Sequence, residues 1–348
     1  MSISTCSRPD HARRSSAGRP ASRSRVSRFI SRVSALLVVA IGIVAGLVTA
    51  APPASAATWS PLAPIPSAFT YVAQPALATY GGDLYAAWAG STSPYHVFYS
   101  AYDGSTWSPE ATIPSALTTG DAGPALAEYG GDLYAFWVGQ SSPYTLWYSA
   151  FNGTSWTHQA SVPYALTQFF QTPGLAAYDG NLYLSWIGQS SPYDVWYADF
   201  NGSTWSRQAT IPSSSSESDQ GDGATLAFYG GDLYAGWIAQ NPSPHGAVSA
   251  FNGSSWSAPT TFGKPAVSPT GPNFGVNGPD LDVAIVDQSD QVLYYSYDGK
   301  KWSGAKTVKG ATSSGWGCGA AIAEYGGSLF VAWDPTPGPT PIDYSHLS

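Results

Sequence analysis

Three short segments of the sequence end in Ser-Pro-Tyr and bring an aromatic ring next to small hydroxyl and amide groups. Their tyrosines are Tyr95, Tyr144 and Tyr193. Two of the segments also contain a glutamine, Gln140 or Gln189, and a fourth, divergent segment ends in His245. An aromatic ring stacks on the apolar face of a pyranose while polar groups hydrogen-bond its hydroxyls, so this pattern predicts sugar binding. A turn with a packed tyrosine is the alternative interpretation.

A second group of candidates lies in segments whose sequences differ more from one another. Tyr71 and Phe170 are the aromatic members, and Asp121 and Asp222 are the acidic ones. We expect such variable segments to line one asymmetric pocket. Two carboxylates facing a pocket have the chemistry of the acid and the base in glycoside hydrolysis, whereas on an open surface they are merely solvated.

Signals for a metal or a cofactor are weak. Residues 217–222 are acidic and glycine-rich, but their spacing does not match an EF-hand loop, so a solvated loop is favoured over a calcium site. The histidines show no ligand spacing. Cys318 is the one cysteine after residue 56 and is interpreted as a small buried residue. We predict no metal site and no cofactor, and we assign no catalytic residue.

The elements that position these residues follow from an internal repeat. Six tryptophans, each followed by serine or threonine, recur at intervals of 46 to 51 residues: Trp59, Trp107, Trp156, Trp205, Trp256 and Trp302. Asp-Gly or Asn-Gly precedes five of them and predicts a type I′ hairpin. A second motif, Tyr-Gly-Gly-Asp-Leu-Tyr with variants, marks another tight hairpin.

Each repeat is therefore predicted to hold four short strands, A to D from the inside outwards. In the second repeat they are 122–129, 133–139, 145–151 and 155–163. Strand B carries Leu133 and Trp137 on one face and Tyr134 and Phe136 on the other. Because both faces are apolar, each sheet must be covered on both sides. The prediction is an all-β, six-bladed β-propeller with four-stranded antiparallel blades.

The ends of the repeat region indicate how the ring closes. The last repeat stops at a strand C, whereas the segment around Trp59 reads as a strand D with no blade before it. We predict that this N-terminal strand completes the last blade. The A–B and C–D turns then share one face of the ring. The B–C and D–A loops share the other face, which carries the candidate residues.

The first 56 residues read as a signal peptide. Eight arginines precede an apolar run at 35–50, and the segment ends in Ala-Ser-Ala. A run of about 16 residues is short for a membrane span of about 20, so an uncleaved anchor is the less favoured alternative. We predict a signal peptide at 1–56 and a propeller domain at 57–348. The protein is expected to be secreted, with no stable membrane anchor after cleavage.

The charge balance excludes several classes of partner. The whole chain has 14 basic and 22 acidic residues, of which 1–56 hold eight arginines and one aspartate. Residues 57–348 therefore keep 6 basic and 21 acidic groups, a net charge of −15. Such a surface repels nucleic acid and anionic membranes. With Arg207 as its one arginine, it is also poorly suited to acidic ligands.

The fifth repeat carries a resemblance to known lectins. Its Leu-Asp-Val, Asp-Gln-Val-Leu-Tyr-Tyr and Gly-x-x-Trp-Ser pattern, within 281–303, resembles the repeats of Photorhabdus-type lectins and, more distantly, of the six-bladed fungal fucose lectins. The resemblance implies a β-propeller lectin. In the fungal fucose lectins each site pairs an arginine and an acidic side chain with aromatics. A chain with one arginine after residue 56 does not match that set, so the fucose site is not carried over.

Residues 100–107 show a weaker resemblance to the Asp-box of sialidases, with the aspartate one residue later. Sialidases hold the substrate carboxylate with three arginines, so sialidase activity is not expected here.

Three functions follow from the sequence. The favoured one is a secreted, lectin-like propeller with repeated inter-blade or loop-face sites for glycans or polysaccharides, because repeated grooves raise avidity. The alternatives are an exported protein-binding or structural propeller, and a propeller glycoside hydrolase or lyase.

Overall fold

The computed structural model describes residues 57–216, 223–239, 244–263, 271–314 and 319–348. These residues form six four-stranded antiparallel sheets, which are the six blades of a β-propeller. The described part of the chain contains no helix long and apolar enough to cross a membrane. The all-β, six-bladed prediction is therefore confirmed.

Five blades follow chain order, each with its strands running A to D. Blade 1 holds β2 (Ala76–Tyr80), β3 (Asp83–Ala89), β4 (His96–Tyr102) and β5 (Ala111–Leu117). Blade 2 holds β6 (Ala125–Tyr129), β7 (Asp132–Val138), β8 (Thr145–Phe151) and β9 (Ala160–Leu166). Blade 3 holds β10 (Gly174–Tyr178), β11 (Asn181–Ile187), β12 (Val195–Phe200) and β13 (Ala209–Thr210).

The later blades repeat the plan. Blade 4 holds β14 (Thr225–Tyr229), β15 (Asp232–Ala239), β16 (His245–Phe251) and β17 (Thr260–Phe262). Blade 5 holds β18 (Asn273–Asn277), β19 (Asp280–Val286), β20 (Gln291–Tyr297) and β21 (Lys306–Thr312). Blade 6 holds β22 (Ala320–Tyr325), β23 (Ser328–Trp333), β24 (Thr340–Leu347) and, as its outer strand, β1 (Ala63–Thr70).

The N-terminal strand closes the ring as predicted. β1 pairs antiparallel with β24, and Trp59 forms an isolated bridge with Leu347. The Thr58 amide donates to the Ser348 carbonyl at 3.0 Å. The two ends of the described ring are therefore joined by backbone hydrogen bonds as well as by packing.

Strand B of each blade buries both of its faces. In β7, Leu133 and Trp137 lie in one apolar cluster with Val97 of blade 1, whereas Phe136 lies in another with Leu184 of blade 3. The tryptophan near the end of strand B is at most 2% exposed in five blades: Trp88, Trp137, Trp186, Trp237 and Trp333. The core of the molecule is thus a ring of inter-blade clusters.

Tyrosines at the ends of A strands also link neighbouring blades. The hydroxyl of Tyr80 donates to the carbonyl of Gly131 at 3.2 Å, and Tyr129 donates to Gly180 at 3.0 Å. Each acceptor lies in the A–B turn of the next blade. These turns are tight because both central residues adopt a positive φ, as at Gly81 (61°) and Gly82 (95°).

The C–D turns differ from the sequence prediction. Gly104 has a φ of 93°, but four residues separate the bridged pair Tyr102 and Trp107, so the turn is not a two-residue type I′ hairpin. Asp103 Oδ1 instead accepts the amides of Ser105 and Thr106, both at 2.8 Å. The hydrogen bonds from Thr106 and Ser105 lower the pKa of Asp103 to about 2. The type I′ prediction was wrong because the aspartate side chain itself organises the turn.

If β1 closes the ring, its buried side chains should contribute to the free energy of unfolding as much as those of any other core strand. Ile65 is 0% exposed and lies in one cluster with Ile342 of blade 6 and Trp88 of blade 1. Ile65→Ala is expected to lower the free energy of unfolding by about 2–5 kcal/mol. Leu62→Ala, at a side chain that is 40% exposed, is the control and is expected to stay within about 0.5 kcal/mol. Equal effects of both substitutions in denaturant unfolding would contradict closure by β1.

A candidate sugar-binding groove between blades 2 and 3

The cavity on the ring axis is too small for a sugar. Its volume is about 50 Å³, against roughly 300 Å³ or more for ordinary ligand pockets. Gln74 fills part of this space and donates from Nε2 to the Ala320 carbonyl at 2.8 Å. A Cβ on Gly319 would lie 2.9 Å from the Gln74 side chain, so the glycine is needed for this close approach. The axis is therefore a packing centre.

The three candidate tyrosines lie in three different blades and do not share a pocket. Tyr144 contacts Phe169 with ring centroids 5.8 Å apart, and Phe169 contacts Phe170 at 4.8 Å. The Tyr95 ring lies over Gly120, and Tyr193 packs against the core between blades 3 and 4. All three tyrosines are half-buried.

The other sequence candidates are spread over the loop face. Gln140, Gln189 and Tyr71 are exposed, and His245 and Asp121 are half-buried. Burial raises the pKa of the Asp121 carboxyl. Asp222, its suggested partner, lies outside the described residues, as do residues 217–222 and Cys318. The two-carboxylate hypothesis therefore stays a prediction. No group of three or more His, Cys, Asp or Glu side chains arranged for a metal ion occurs among the described residues.

The outer strands share a feature that sequence reasoning missed. In each blade one residue of the outer segment has a positive φ: Ser67, Ser115, Tyr164, Ser213, Gly263 and Gly310. In β9 this residue lies in a bulge between the pairs Trp147–Ser161 and Thr145–Leu166. The neighbours Val162 and Ala165 point into the core, so the bulge turns residue 164 outwards. The bulge also explains why β9 runs past Pro163, the predicted end of the strand. Proline has no N–H to donate, and a residue in a bulge needs no hydrogen bond to the neighbouring strand.

Tyr164 is the exception in this series. Five blades carry serine or glycine at the residue with the positive φ, whereas blade 2 carries a tyrosine with a φ of 62° that is 85% exposed. A bulky residue in the left-handed region costs on the order of 1 kcal/mol or more. An exposed ring recovers little of that cost by burial. Folding alone therefore does not account for Tyr164.

Tyr164 lines a groove between blades 2 and 3. One part of the groove, about 560 Å³, is bounded by Tyr164, Trp196, Trp205, Arg207 and Gln208. A second part, about 310 Å³, shares Tyr164, Trp196 and Gln208 with the first and extends to the loop residues Gln189 and Asp194. We call these two parts together the blade 2–3 groove. Both volumes lie in the range of ordinary ligand pockets.

The two tryptophans of the groove have different roles. Trp205 contacts Tyr148 of blade 2 at a centroid distance of 5.8 Å and Phe200 at 5.2 Å, so it is part of the inter-blade packing. Trp196 is half-buried, and within the described residues no aromatic ring pairs with it. One face of Trp196 is therefore available as a wall of the groove.

Gly188 determines where the Trp196 indole lies. A Cβ at residue 188 would stand 2.5 Å from Trp196 Nε1, closer than real contacts allow, while the φ of Gly188 is outside the left-handed region. The same arrangement recurs in blade 2, where a Cβ at Gly139 would lie 2.8 Å from Trp147 Nε1. Glycine at this position of the B–C loop thus lets the ring of strand C fold back over the loop.

The polar groups of the groove come from the C–D hairpin and the B–C loop of blade 3. Arg207 and Gln208 lie two and three residues after Trp205 and are exposed. No ion pair joins Arg207 to a described residue. The groove thus combines an aromatic wall, an arginine, two glutamines and a carboxylate at Asp194. Of the residues predicted from the sequence, Gln189 belongs to it. A residue-by-residue comparison of the outer segments, counted from the repeat tryptophan, would have revealed Tyr164 as the one aromatic member.

A buried acid outside the groove was also missed. Asp282 in β19 is 2% exposed and stands where the other B strands have tyrosine or phenylalanine. Burial raises its pKa, and a hydrogen bond with Ser296 and the charge of Lys306 act in the opposite direction. Lys306 Nζ lies 3.1 Å from Ser296 Oγ. Asp282 interacts with Ser296 and Lys306 within blade 5, while its Oδ1 atom is buried with no hydrogen-bond partner among the described residues.

The Asp282 carboxyl makes stability depend on pH. Because its pKa is raised above 3.8 in the folded state, its favourable contribution is present below 3.8 and is lost as the pH rises through the folded pKa. Asp282→Asn is expected to gain stability relative to the parent protein between about pH 3 and about pH 7 in urea unfolding. Asp280→Asn on the same strand is the control. A constant difference between Asp282→Asn and the parent would show that Asp282 does not titrate on folding.

The position of Trp196 yields a second prediction. Gly188→Ala is expected to displace the indole and to cost about 1–3 kcal/mol of stability through overpacking. Gly304→Ala is the matched control, because nothing lies within 4 Å of its Cβ position and its φ is ordinary. The measurement is the indole N–H resonance of Trp196 in a ¹⁵N correlation spectrum. A resonance that is unchanged by Gly188→Ala would contradict the geometry of the groove.

Comparisons with known proteins relate the fold to solved structures. No protein-family model and no curated protein sequence matches the chain. A fungal lectin from Aleuria aurantia with a six-bladed β-propeller fold has a TM-score of 0.58 and 13% identity, covering 78% of this chain and 90% of the lectin. A mutant of AofleA from Arthrobotrys oligospora has a TM-score of 0.58 and 11% identity, with coverages of 80% and 84%. The endosialidase of phage phi92 has a TM-score of 0.58 and 12% identity, with coverages of 84% and 69%. At these identities the similarity extends to the fold, and the chain shares the six-bladed propeller architecture of the fungal lectin.

Proposed function

We propose that the protein is a secreted carbohydrate-binding β-propeller and that the blade 2–3 groove holds the sugar. The observation that carries the proposal is Tyr164, an exposed aromatic residue in a left-handed conformation where the other blades have serine or glycine. Strain retained at an exposed position points to a function for the side chain. The side chain borders a groove of suitable volume.

The residues of the groove match the chemistry of a pyranose. Trp196 offers an apolar face for the C–H face of the ring, and Tyr164 lines the same groove. Gln189 and Gln208 carry amides that donate to and accept from hydroxyl groups. An enzyme is not needed to explain this arrangement, which lacks a pair of carboxylates.

The relatives in fold support the same class of ligand. The Aleuria aurantia lectin is described as a six-bladed propeller with a novel mode of fucose recognition. A sugar-binding role is therefore within the known use of this architecture. The fungal fucose lectins and the Photorhabdus-type lectins remain resemblances, since fold similarity alone does not fix the ligand.

The six grooves between blades differ in their aromatic residues. The position of Trp196 in strand C is aromatic in blades 1 to 3 and is Ala247, Leu293 and Asp343 in blades 4 to 6. The bulge tyrosine occurs in blade 2 alone. We therefore propose one principal site per chain, which narrows the repeated sites that the sequence suggested.

Secretion is part of the proposal and rests on the arginine-rich, apolar N-terminal segment of 56 residues. A secreted, strongly acidic propeller meets glycans and polysaccharides outside the cell.

The test of the proposed function is a glycan array followed by calorimetry with the sugar that binds. Tyr164→Ser restores the residue found in three other blades, so stability is expected to stay within about 0.5 kcal/mol. Affinity is expected to fall about tenfold because one aromatic contact is lost. Ser115→Asn, at the same position of blade 1, is the control and leaves affinity unchanged. An array with no bound glycan, or full affinity in Tyr164→Ser, would contradict the proposal.

A further inference from the structure

Arg207 is unusual in this chain. Residues 57–348 carry 21 acidic and 6 basic groups, and Arg207 is their one arginine. It is exposed, and no ion pair joins it to a described residue. In a chain of net charge −15 a surface cation gains from pairing with one of the many carboxylates. Since no described residue forms an ion pair with Arg207, its five donors are available to another molecule as far as the described part of the chain is concerned.

No other blade has an arginine at the position of Arg207. Two residues after the repeat tryptophan stand Pro61, Pro109, His158, Ala258 and Gly304. The arginine therefore does not serve the hairpin, which forms with all of these residues. It occurs in the same groove as the bulge tyrosine Tyr164, so the two exceptional residues of the ring meet at one site.

The charges of the groove are separated along its length. Arg207 lines the larger part together with Trp205, whereas Asp194 lines the part that reaches the loops. Trp196 lies along both parts. A ligand that stacks on Trp196 and carries an anionic group is therefore repelled at the loop end and attracted at the hairpin end. The ligand is therefore expected to bind in one orientation, with its anionic group at the hairpin end.

We infer that the blade 2–3 groove binds a carboxylate-bearing sugar, with the pyranose against Trp196 and Tyr164 and the carboxylate on the Arg207 guanidinium. This inference rests on the proposed function and narrows its ligand. The planar fork of arginine matches a carboxylate through two parallel hydrogen bonds. The sequence indicated that acidic ligands are disfavoured, and that holds for the surface as a whole. The hairpin end of the groove, which Arg207 lines, carries a positive charge instead.

The charge of the rest of the surface restricts the form of the ligand. A net charge of −15 repels dense polyanions at long range, over about 10 Å at ordinary ionic strength. A short acidic oligosaccharide, or the charged end of a neutral glycan, brings one carboxylate to Arg207 without bringing many others to the acidic surface.

The experiment uses matched pairs of oligosaccharides and the purified protein in calorimetry. Each pair consists of a uronate oligosaccharide, such as tri-galacturonate, and the same oligosaccharide after reduction of its carboxyl groups. A second set pairs a sialoside with its asialo counterpart and separates a carboxylate on the anomeric carbon from one on C5. The acidic member of at least one pair is expected to bind at least about tenfold more tightly.

Substitutions assign the preference to the guanidinium. Arg207→Gln is expected to bind both members of a pair with the affinity that the parent protein has for the neutral member. Arg207→Lys keeps the charge but loses the fork, so part of the preference remains. His158→Gln, at the same position of blade 2, is the matched control and keeps the full preference. Because residue 207 is exposed, thermal unfolding is expected to be unchanged.

The outcomes separate this inference from the proposed function. Equal affinity for both members of every pair, or an acidic preference that persists in Arg207→Gln, overturns the inference while sugar binding stands. Binding of neutral glycans alone would likewise overturn the inference and leave the proposed function standing. If no oligosaccharide of either kind binds to the protein, the proposed function fails and the inference fails with it.

Discussion

The structure depends on one constraint, which is that every strand B buries both of its faces. A sheet of this kind has no face to offer to water, so each blade needs a neighbour on both sides. Phe136 and Trp137 are adjacent in β7, yet they belong to different clusters and contact different blades. A row of such blades leaves two open ends unless it closes, and closure is what β1 achieves by joining blade 6. The hydrogen bonds from Tyr80 and Tyr129 then fix blade 1 to blade 2 and blade 2 to blade 3.

The same constraint explains where a ligand can lie. Packing is tight at the axis, where Gln74 and glycines such as Gly123 and Gly319 are in contact, and it loosens outwards as the blades diverge. The outer strands lie beyond the packed core, and each outer segment holds one residue with a positive φ, which in four blades lies in a bulge of the outer-strand pairing. A groove between two blades is therefore a general feature of the fold, and the residues at its rim determine which ligand it binds. Blades 2 and 3 place a tyrosine, a tryptophan and an arginine there.

Much of the fold was predictable from the sequence because the repeat carries its own turn signals. The Gly-Gly turns, the two-sided strand B and the unpaired strand around Trp59 were sufficient for six blades and their closure. The C–D turn was not predicted correctly, since Asp-Gly is compatible with both a type I′ turn and a turn organised by the aspartate side chain, as at Asp103. The groove was missed for a related reason. Nothing in the residue type of Tyr164 shows a positive φ. That conformation follows from the bulge, which Ser67 and Ser115 share. The loop tyrosines drew attention because their motif is conspicuous, but they are half-buried and lie in separate blades.

The central claim is that the sugar lies between blades 2 and 3 and not on the loop face or the axis. A crystal structure of the protein with a bound oligosaccharide tests this most directly. The account predicts density for a pyranose ring against Trp196, bordered by Tyr164 and Arg207. Density for the ring over Tyr144 and Phe169 on the loop face, with the blade 2–3 groove empty, would contradict it.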